Sequence, residues 1–116
     1  MTVKEIMSAL QADLLCGENK LSQECLAGCG CDLMSDVLAL VKDQSLLLTG
    51  LINSQVIRTA EMMDIVAVCF VRGKTPPEEV INLAKEKGIT VLKTSYPLYV
   101  ACGRLYYNGL RGNEDD

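Results

Sequence analysis

The chain has no histidine and no tryptophan, and only one phenylalanine and four tyrosines among 116 residues. Each absence excludes something. Histidine is the side chain whose ordinary pKa lies nearest neutrality, so without it the commonest general base is missing. No Ser-His-Asp or Cys-His pair can form. An aromatic content of 4% requires an aliphatic core, with Met and Cys as small fillers. Basic runs are also missing: 11 Lys and Arg stand against 15 Asp and Glu, a formal charge of -4. That balance argues against nucleic acid as a partner, because such binders carry basic patches that neutralise phosphates. No apolar run approaches the roughly 20 residues of a membrane span. The opening "MTVKEIMSALQADLL" is charged at Lys4 and Glu5 and lacks the apolar stretch of a signal peptide. The expectation is a soluble cytoplasmic protein whose six cysteines stay reduced rather than forming disulfides.

What is present suffices for one domain. Nearly half the residues (49%) are hydrophobic, and the length is that of a single domain. We expect the domain over residues 1–112, with the acidic end, 113–116, frayed. "TVKE" reads as a capping box on Thr2 and Glu5, followed by a helical stripe of Val3, Ile6, Met7 and Leu10. "ADLLCG" reads as extended, and so does Ser22 to Cys31. Asp32 is expected to cap a helix with Met34, Val37, Leu38 and Val41 on its inner stripe. "SLLLTG" reads as a buried strand. "NSQVIRTAEMM" follows as a helix capped by Asn53 or Ser54. "DIVAVCFVRG" is apolar without alternation, as a central parallel strand should be. In "TPPEE", Thr75 reads as a cap, Pro76 as the first helical residue and Glu78 as the rest of the box. That helix should end at Gly88. "ITVLKTS" is a further strand, and a last helix starts near Ser95–Pro97. Alternation of strand and helix predicts an α/β fold: a mostly parallel sheet with helices packed on it.

Open parallel sheets bind ligands beyond the carboxyl ends of their strands. The residues expected there are Thr49, Gly50 and Asn53, then Arg72, Gly73 and Lys74, then Thr94, Ser95 and Tyr96. The Gly28–Asp32 loop joins them if its helix starts on the same rim. Free N–H groups at helix starts, with Arg72 and Lys74, would favour an anion. The plainer reading is that the glycines make turns and the basic residues are solvated. No phosphate-binding loop motif is present, and "GCG" falls short of a dinucleotide fingerprint. Asp32 and Asp36, one turn apart, suit a cap and a surface acid as well as a shared metal.

"CLAGCGC", Cys25 to Cys31, holds half of the cysteines. Cys16, Cys25, Cys29 and Cys31 would make four thiolate ligands. Structural zinc sites, however, prefer two C-x2-4-C pairs, and here there is no second pair. As a strand, Cys25, Ala27, Cys29 and Cys31 should face one way and Leu26, Gly28 and Gly30 the other. Two glycines on one face let another backbone or a ligand come close.

The chain as a whole, from Thr2 to about Gly112, resembles the DRTGG domain family. The resemblance is carried by "CDLMSDVLA" after a glycine-containing loop and by the stretch from "LLLTGLINSQ" to "YVACGRLY". Members are similar to the N-terminal domain of bacterial HPr kinase and the first domain of certain Mur ligases. They also occur beside CBS domains in regulated pyrophosphatases. The family's name motif falls on Ser22, Gln23, Leu26, Ala27 and Gly28, and only Gly28 matches. Asp32, Leu33, Ser35, Asp36 and Val37 fit. The resemblance implies a regulatory role, a homodimer and no catalysis, and this chain lacks the kinase's P-loop domain. The expected function is therefore a non-enzymatic regulatory domain for a small anionic or nucleotide-like ligand. Its expected ligand residues are Gly28, Cys29, Gly30, Cys31, Asp32, Ser35, Asp36, Thr49, Gly50, Asn53, Arg72, Lys74 and Thr94, with no catalytic residue, cofactor or metal. The alternatives are a protein-interaction module with a vestigial pocket and a thiolate metal or redox protein.

Overall fold

The computed structural model describes residues 1–112; the expected frayed end, 113–116, lies outside them. Five strands form one sheet in the order β1-β5-β4-β3-β2. They are β1 (Asp13–Cys16), β2 (Ala27–Gly30), β3 (Ser45–Thr49), β4 (Ala67–Phe70) and β5 (Thr90–Lys93). The run β2-β3-β4-β5 is parallel, and β1 joins β5 antiparallel. The helices are α1 (Val3–Leu10), α2 (Met34–Leu40), α3 (Ser54–Met62), α4 (Glu78–Lys87) and α5 (Leu98–Tyr107). The Cα radius of gyration is 12.3 Å, close to the ~13 Å of a single domain of about 100 residues.

The apolar strand runs resolve into two faces. Leu47, Val68, Phe70 and Val91 face one core, with Val37 of α2, Val56 and Ile57 of α3, and Val80 and Ala84 of α4. Leu46, Leu48, Ala67, Cys69 and Leu92 face the other, with Val3, Ile6 and Leu10 of α1 and Ala101 and Leu105 of α5. All residues of β3 and β4 are buried. The three crossovers between parallel strands share one hand, so α2, α3 and α4 fall on one side. The ends of the chain, α1 and α5, cover the other side. At β1 the register shifts between Leu14 and Cys16. This bulge sends both Leu15 and Cys16 to the α2–α4 side while Leu14 packs on the α1–α5 side.

Local signals hold at some helix ends and fail at others. Thr2 and Glu5 form the full capping box. Asn53 caps α3 by accepting from the Gln55 N–H at 3.1 Å. Gly88 ends α4 in the left-handed region at φ 71°. The Thr75 box does not form. Helix α4 starts at Glu78 after Pro77 and has no side-chain cap. The Thr75 hydroxyl instead accepts from Lys93 Nζ at 2.8 Å. Asp32 does not cap α2 either. Leu33 holds that position without a side-chain bond, because the Asp32 carboxylate is engaged elsewhere. Leu38 is 42% exposed, so the inner stripe of α2 reduces to Met34 and Val37, while Val41, the C-cap, packs partly buried against the same core. Of the extended Ser22–Cys31 segment, only Ala27–Gly30 pairs as a strand with β3.

Gly17 follows β1 at φ +100°, and a Cβ there would lie 2.6 Å from Thr90 Oγ1 and 3.0 Å from Thr90 Cα. Gly17→Ala therefore combines left-handed strain with overpacking and should cost roughly 2–4 kcal/mol. The Thr90 hydroxyl is itself buried with no hydrogen-bond partner. Thr90→Val should be neutral or stabilising by up to about 1–2 kcal/mol, since it removes an unsatisfied group without a cavity. Urea denaturation of the two variants checks both signs; a destabilised Thr90→Val would show that the hydroxyl is satisfied.

Candidate functional site

Because β2 to β5 are parallel, their carboxyl ends share one rim. Polar contacts tie neighbouring ends together along it. Between β2 and β3, Asp32 Oδ1 accepts from Thr49 Oγ1 at 3.0 Å and from the Gly50 N–H at 2.7 Å. Between β3 and β4, Lys74 Nζ donates to the Gly50 carbonyl at 2.9 Å. Between β4 and β5, the N–H groups of Arg72 and Gly73 donate to the carbonyls of Tyr96 and Thr94 at 2.9 and 2.8 Å. Thr94 Oγ1 then donates to the Leu10 carbonyl at 2.7 Å, joining the rim to α1.

The Arg72–Gly73 turn is unusual. Arg72 has φ 60° and Gly73 φ 67°. A left-handed Arg costs roughly 1–2 kcal/mol, and such outliers cluster at functional sites. The conformation presents an exposed Arg72 over buried Gly50. A Cβ on Gly50 would lie 2.7 Å from an Arg72 guanidinium nitrogen and 3.5 Å from both Asp32 carboxylate oxygens. Glycine at position 50 thus lets the Arg72 guanidinium and the Asp32 carboxylate both approach the backbone there.

The expected ligand residues separate into groups. Asp32, Thr49, Gly50, Arg72 and Lys74 meet at the rim. Ser35 and Asp36 are exposed in the first turn of α2. Asn53 uses its side chain as the α3 cap. Thr94 is buried, with its hydroxyl donating to Leu10 and accepting from the Tyr96 N–H at 3.3 Å. It braces the rim from beneath. Cys29 packs against the α2–α4 core, while Cys31 Sγ exchanges contacts with the Leu33 backbone at 3.3 and 3.4 Å.

Gly28 and Gly30 face α5. There an added Cβ would meet Leu110 at 3.2 Å and Cys102 Sγ at 2.5 Å, respectively. They line a cavity of about 190 Å³ with Leu48, Leu105, Tyr106 and Gly112. Its far wall escaped the reading of the sequence. The two glycines on one strand face were its only signal, since the wall comes from α5 and the residues after it.

The four-thiolate set does not assemble. Cys16 and Cys29 lie on β1 and β2, the opposite edges of the sheet, four strand spacings or about 19 Å apart. Cys25 precedes β2 and is buried in the α1–α5 core, so it does not share a face with Cys29. Among the described residues no three Cys, Asp or Glu side chains gather as a metal cage requires. Burial pushes the Cys25 thiol up to about 11 and the Cys69 thiol up to about 12; burial also raises Cys16, Cys29 and Cys102.

A model of the DRTGG domain matches residues 5–105. The chain belongs to the DRTGG domain family. No curated protein matches it. Among solved structures it is similar to the CBS and DRTGG domains of the regulatory region of Clostridium perfringens pyrophosphatase, complexed with activator, diadenosine tetraphosphate. The TM-score is 0.75 at 17% identity, covering 90% of this chain and 45% of that one. At that identity the likeness establishes the fold. This DRTGG domain therefore spans less than half of the structure it resembles.

The raised thiols give a pH dependence with a definite sign. A thiol near 11 or 12 when folded and near 9 when unfolded favours the neutral form in the fold. Its contribution is complete below about pH 9 and is lost as pH rises through 11 and 12. The urea midpoint should fall from pH 9 upward, and Cys25→Ala/Cys69→Ala should flatten that fall. An equal slope in the variant would refute the assignment to these thiols.

Proposed function

We propose that this DRTGG domain is a non-enzymatic regulatory module. On this reading it binds a small anionic, nucleotide-like ligand at the rim and acts as a homodimer in a reducing, cytoplasmic setting. The carrying observation is the Arg72 turn. Two backbone hydrogen bonds hold a strained, exposed cation over a glycine whose missing side chain lets the guanidinium lie close to the backbone. Lys74, fixed on the Gly50 carbonyl, supplies a second positive charge at the same place. Phosphate oxygens suit such a pair, and guanidinium offers a planar fork to them. The family supports regulation rather than chemistry, and the similar pyrophosphatase region is one that binds a nucleotide activator. The absence of histidine leaves no residue with ordinary pKa near neutrality to act as a base.

A second reading has its own observation. Asp32, Thr49, Lys74 and Thr94 already satisfy one another or the backbone, as in a rim that no longer takes a ligand. That reading makes the domain a protein-interaction module.

Thermal unfolding with AMP, ATP or diadenosine tetraphosphate separates the two. A nucleotide at 100 times its Kd stabilises by about 2.7 kcal/mol, or roughly 10–20 °C for a domain this small. Arg72→Gly/Lys74→Gln should abolish the shift. Because glycine accepts φ 60° without strain, Arg72→Gly should leave the unliganded protein at least as stable. No shift with any nucleotide, or a shift that survives the double substitution, would remove the rim as the ligand site.

A further inference from the structure

All four tyrosines lie between residues 96 and 107. Two are engaged within the chain. Arg104 lies over the Tyr96 ring at 4.7 Å, and Arg111 over the Tyr106 ring at 4.1 Å. The other two, Tyr99 and Tyr107, are 90% and 91% exposed. They stand on α5 four residues before and four residues after Gly103, along one stripe of the helix.

Gly103 lies midway between them. It is helical and exposed, and an added Cβ would meet nothing within 4 Å. A glycine inside a helix destabilises by roughly 0.5–1 kcal/mol relative to alanine. Nothing within the domain calls for it. Its missing side chain lowers the floor of a shallow groove lined by Tyr99, Val100, Gly103, Arg104, Tyr107 and Asn108.

We propose that this groove is where a second copy of the chain docks. The two α5 helices cross antiparallel at Gly103, and Tyr99 packs beside the partner subunit's Tyr107. The inference rests on the homodimer of the proposed function and names its surface.

Three observations select a second copy. The first is symmetry. A two-fold axis at Gly103 exchanges position -4 with position +4, and both are tyrosine, so the surface is complementary to itself. The second is charge. Two chains of formal charge -4 repel, yet from Lys93 to Gly112 there is no Asp or Glu. Of the cations on the stretch, Lys93 donates to Thr75 Oγ1, and Arg104 and Arg111 are held against rings. The third is area. Two tyrosines per copy supply roughly 600–1,000 Å² at about 150–250 Å² each. Val100, Asn108 and the close backbone approach at Gly103 extend this toward the ~1,200 Å² at which specific interfaces begin.

Sedimentation of the full chain across micromolar concentrations tests the proposal. The wild type should sediment at twice the 12.6 kDa chain mass. Gly103→Leu and Tyr107→Glu should each raise the dimer dissociation constant by about 30-fold or more, as for an interface hot spot. Gly103→Leu has room in the monomer and improves helix propensity, so its helical circular dichroism should be intact. A monomeric wild type, or a dimer untouched by Gly103→Leu and Tyr107→Glu, would overturn the proposal. Nucleotide-dependent thermal shifts on the same samples keep the two readings apart. Failure of the rim leaves a dimer that ignores nucleotide, whereas failure of the groove leaves a nucleotide-responsive protein that is monomeric or dimerises elsewhere.

Discussion

One carboxylate oxygen holds the carboxyl-end rim of this domain's sheet together. Asp32 Oδ1 takes two donors, the Thr49 hydroxyl and the Gly50 N–H. Both lie at the end of β3, while Asp32 lies just beyond the end of β2. The contact therefore closes a seam that backbone pairing leaves open, because parallel strands run out of ladder partners at their ends. It also fixes the Gly50 peptide, whose carbonyl then receives Lys74. The position of one side chain on α2's approach thus decides where a cation on the neighbouring βα loop sits. A charge-assisted hydrogen bond is worth roughly 1.5–3 kcal/mol net, a sizeable share of the stability of so small a domain.

Beneath the rim, the constraint is a sheet covered on both sides. Strands of four or five residues supply few hydrogen bonds, so side-chain burial has to carry the fold. Leu46, Leu47 and Leu48 show how: successive residues feed opposite cores. The two cores differ in origin. One is built by the crossover helices α2, α3 and α4, which any parallel run of strands must provide. The other depends on α1 and α5, from opposite ends of the chain, joined where Arg104 Nε donates to the Ala9 carbonyl at 2.7 Å.

Much of this was legible in the residues. The apolar run Ile65–Val71 marked the central strand because alternation vanishes when both faces are buried. Thr2, Asn53 and Gly88 marked helix ends because their caps are local. Asp32 and Thr75 misled for the opposite reason. Each has a short-range cap to offer, but a donor from a distant strand, Thr49 or Lys93, claims its oxygen first. The rim's membership could be read from strand ends, whereas its chemistry could not. Whether Thr94 points outward or inward depends on α1 lying beneath it. The alternation assumed for Cys25 failed because regular pairing begins only at Ala27. The cavity over Gly28 and Gly30 needed a wall that sequence order places some eighty residues away.

The Gly28 N–H, on the outer edge of β2, donates to the Arg111 carbonyl at 2.8 Å. During synthesis this has a cost in time. The strand emerges early, but its outward amide has no partner until residue 111 has left the ribosome. Through that interval a short edge without proline or charge is open to pairing with other chains. The last described residues are thus a latch that closes the sheet only when the domain has been made in full.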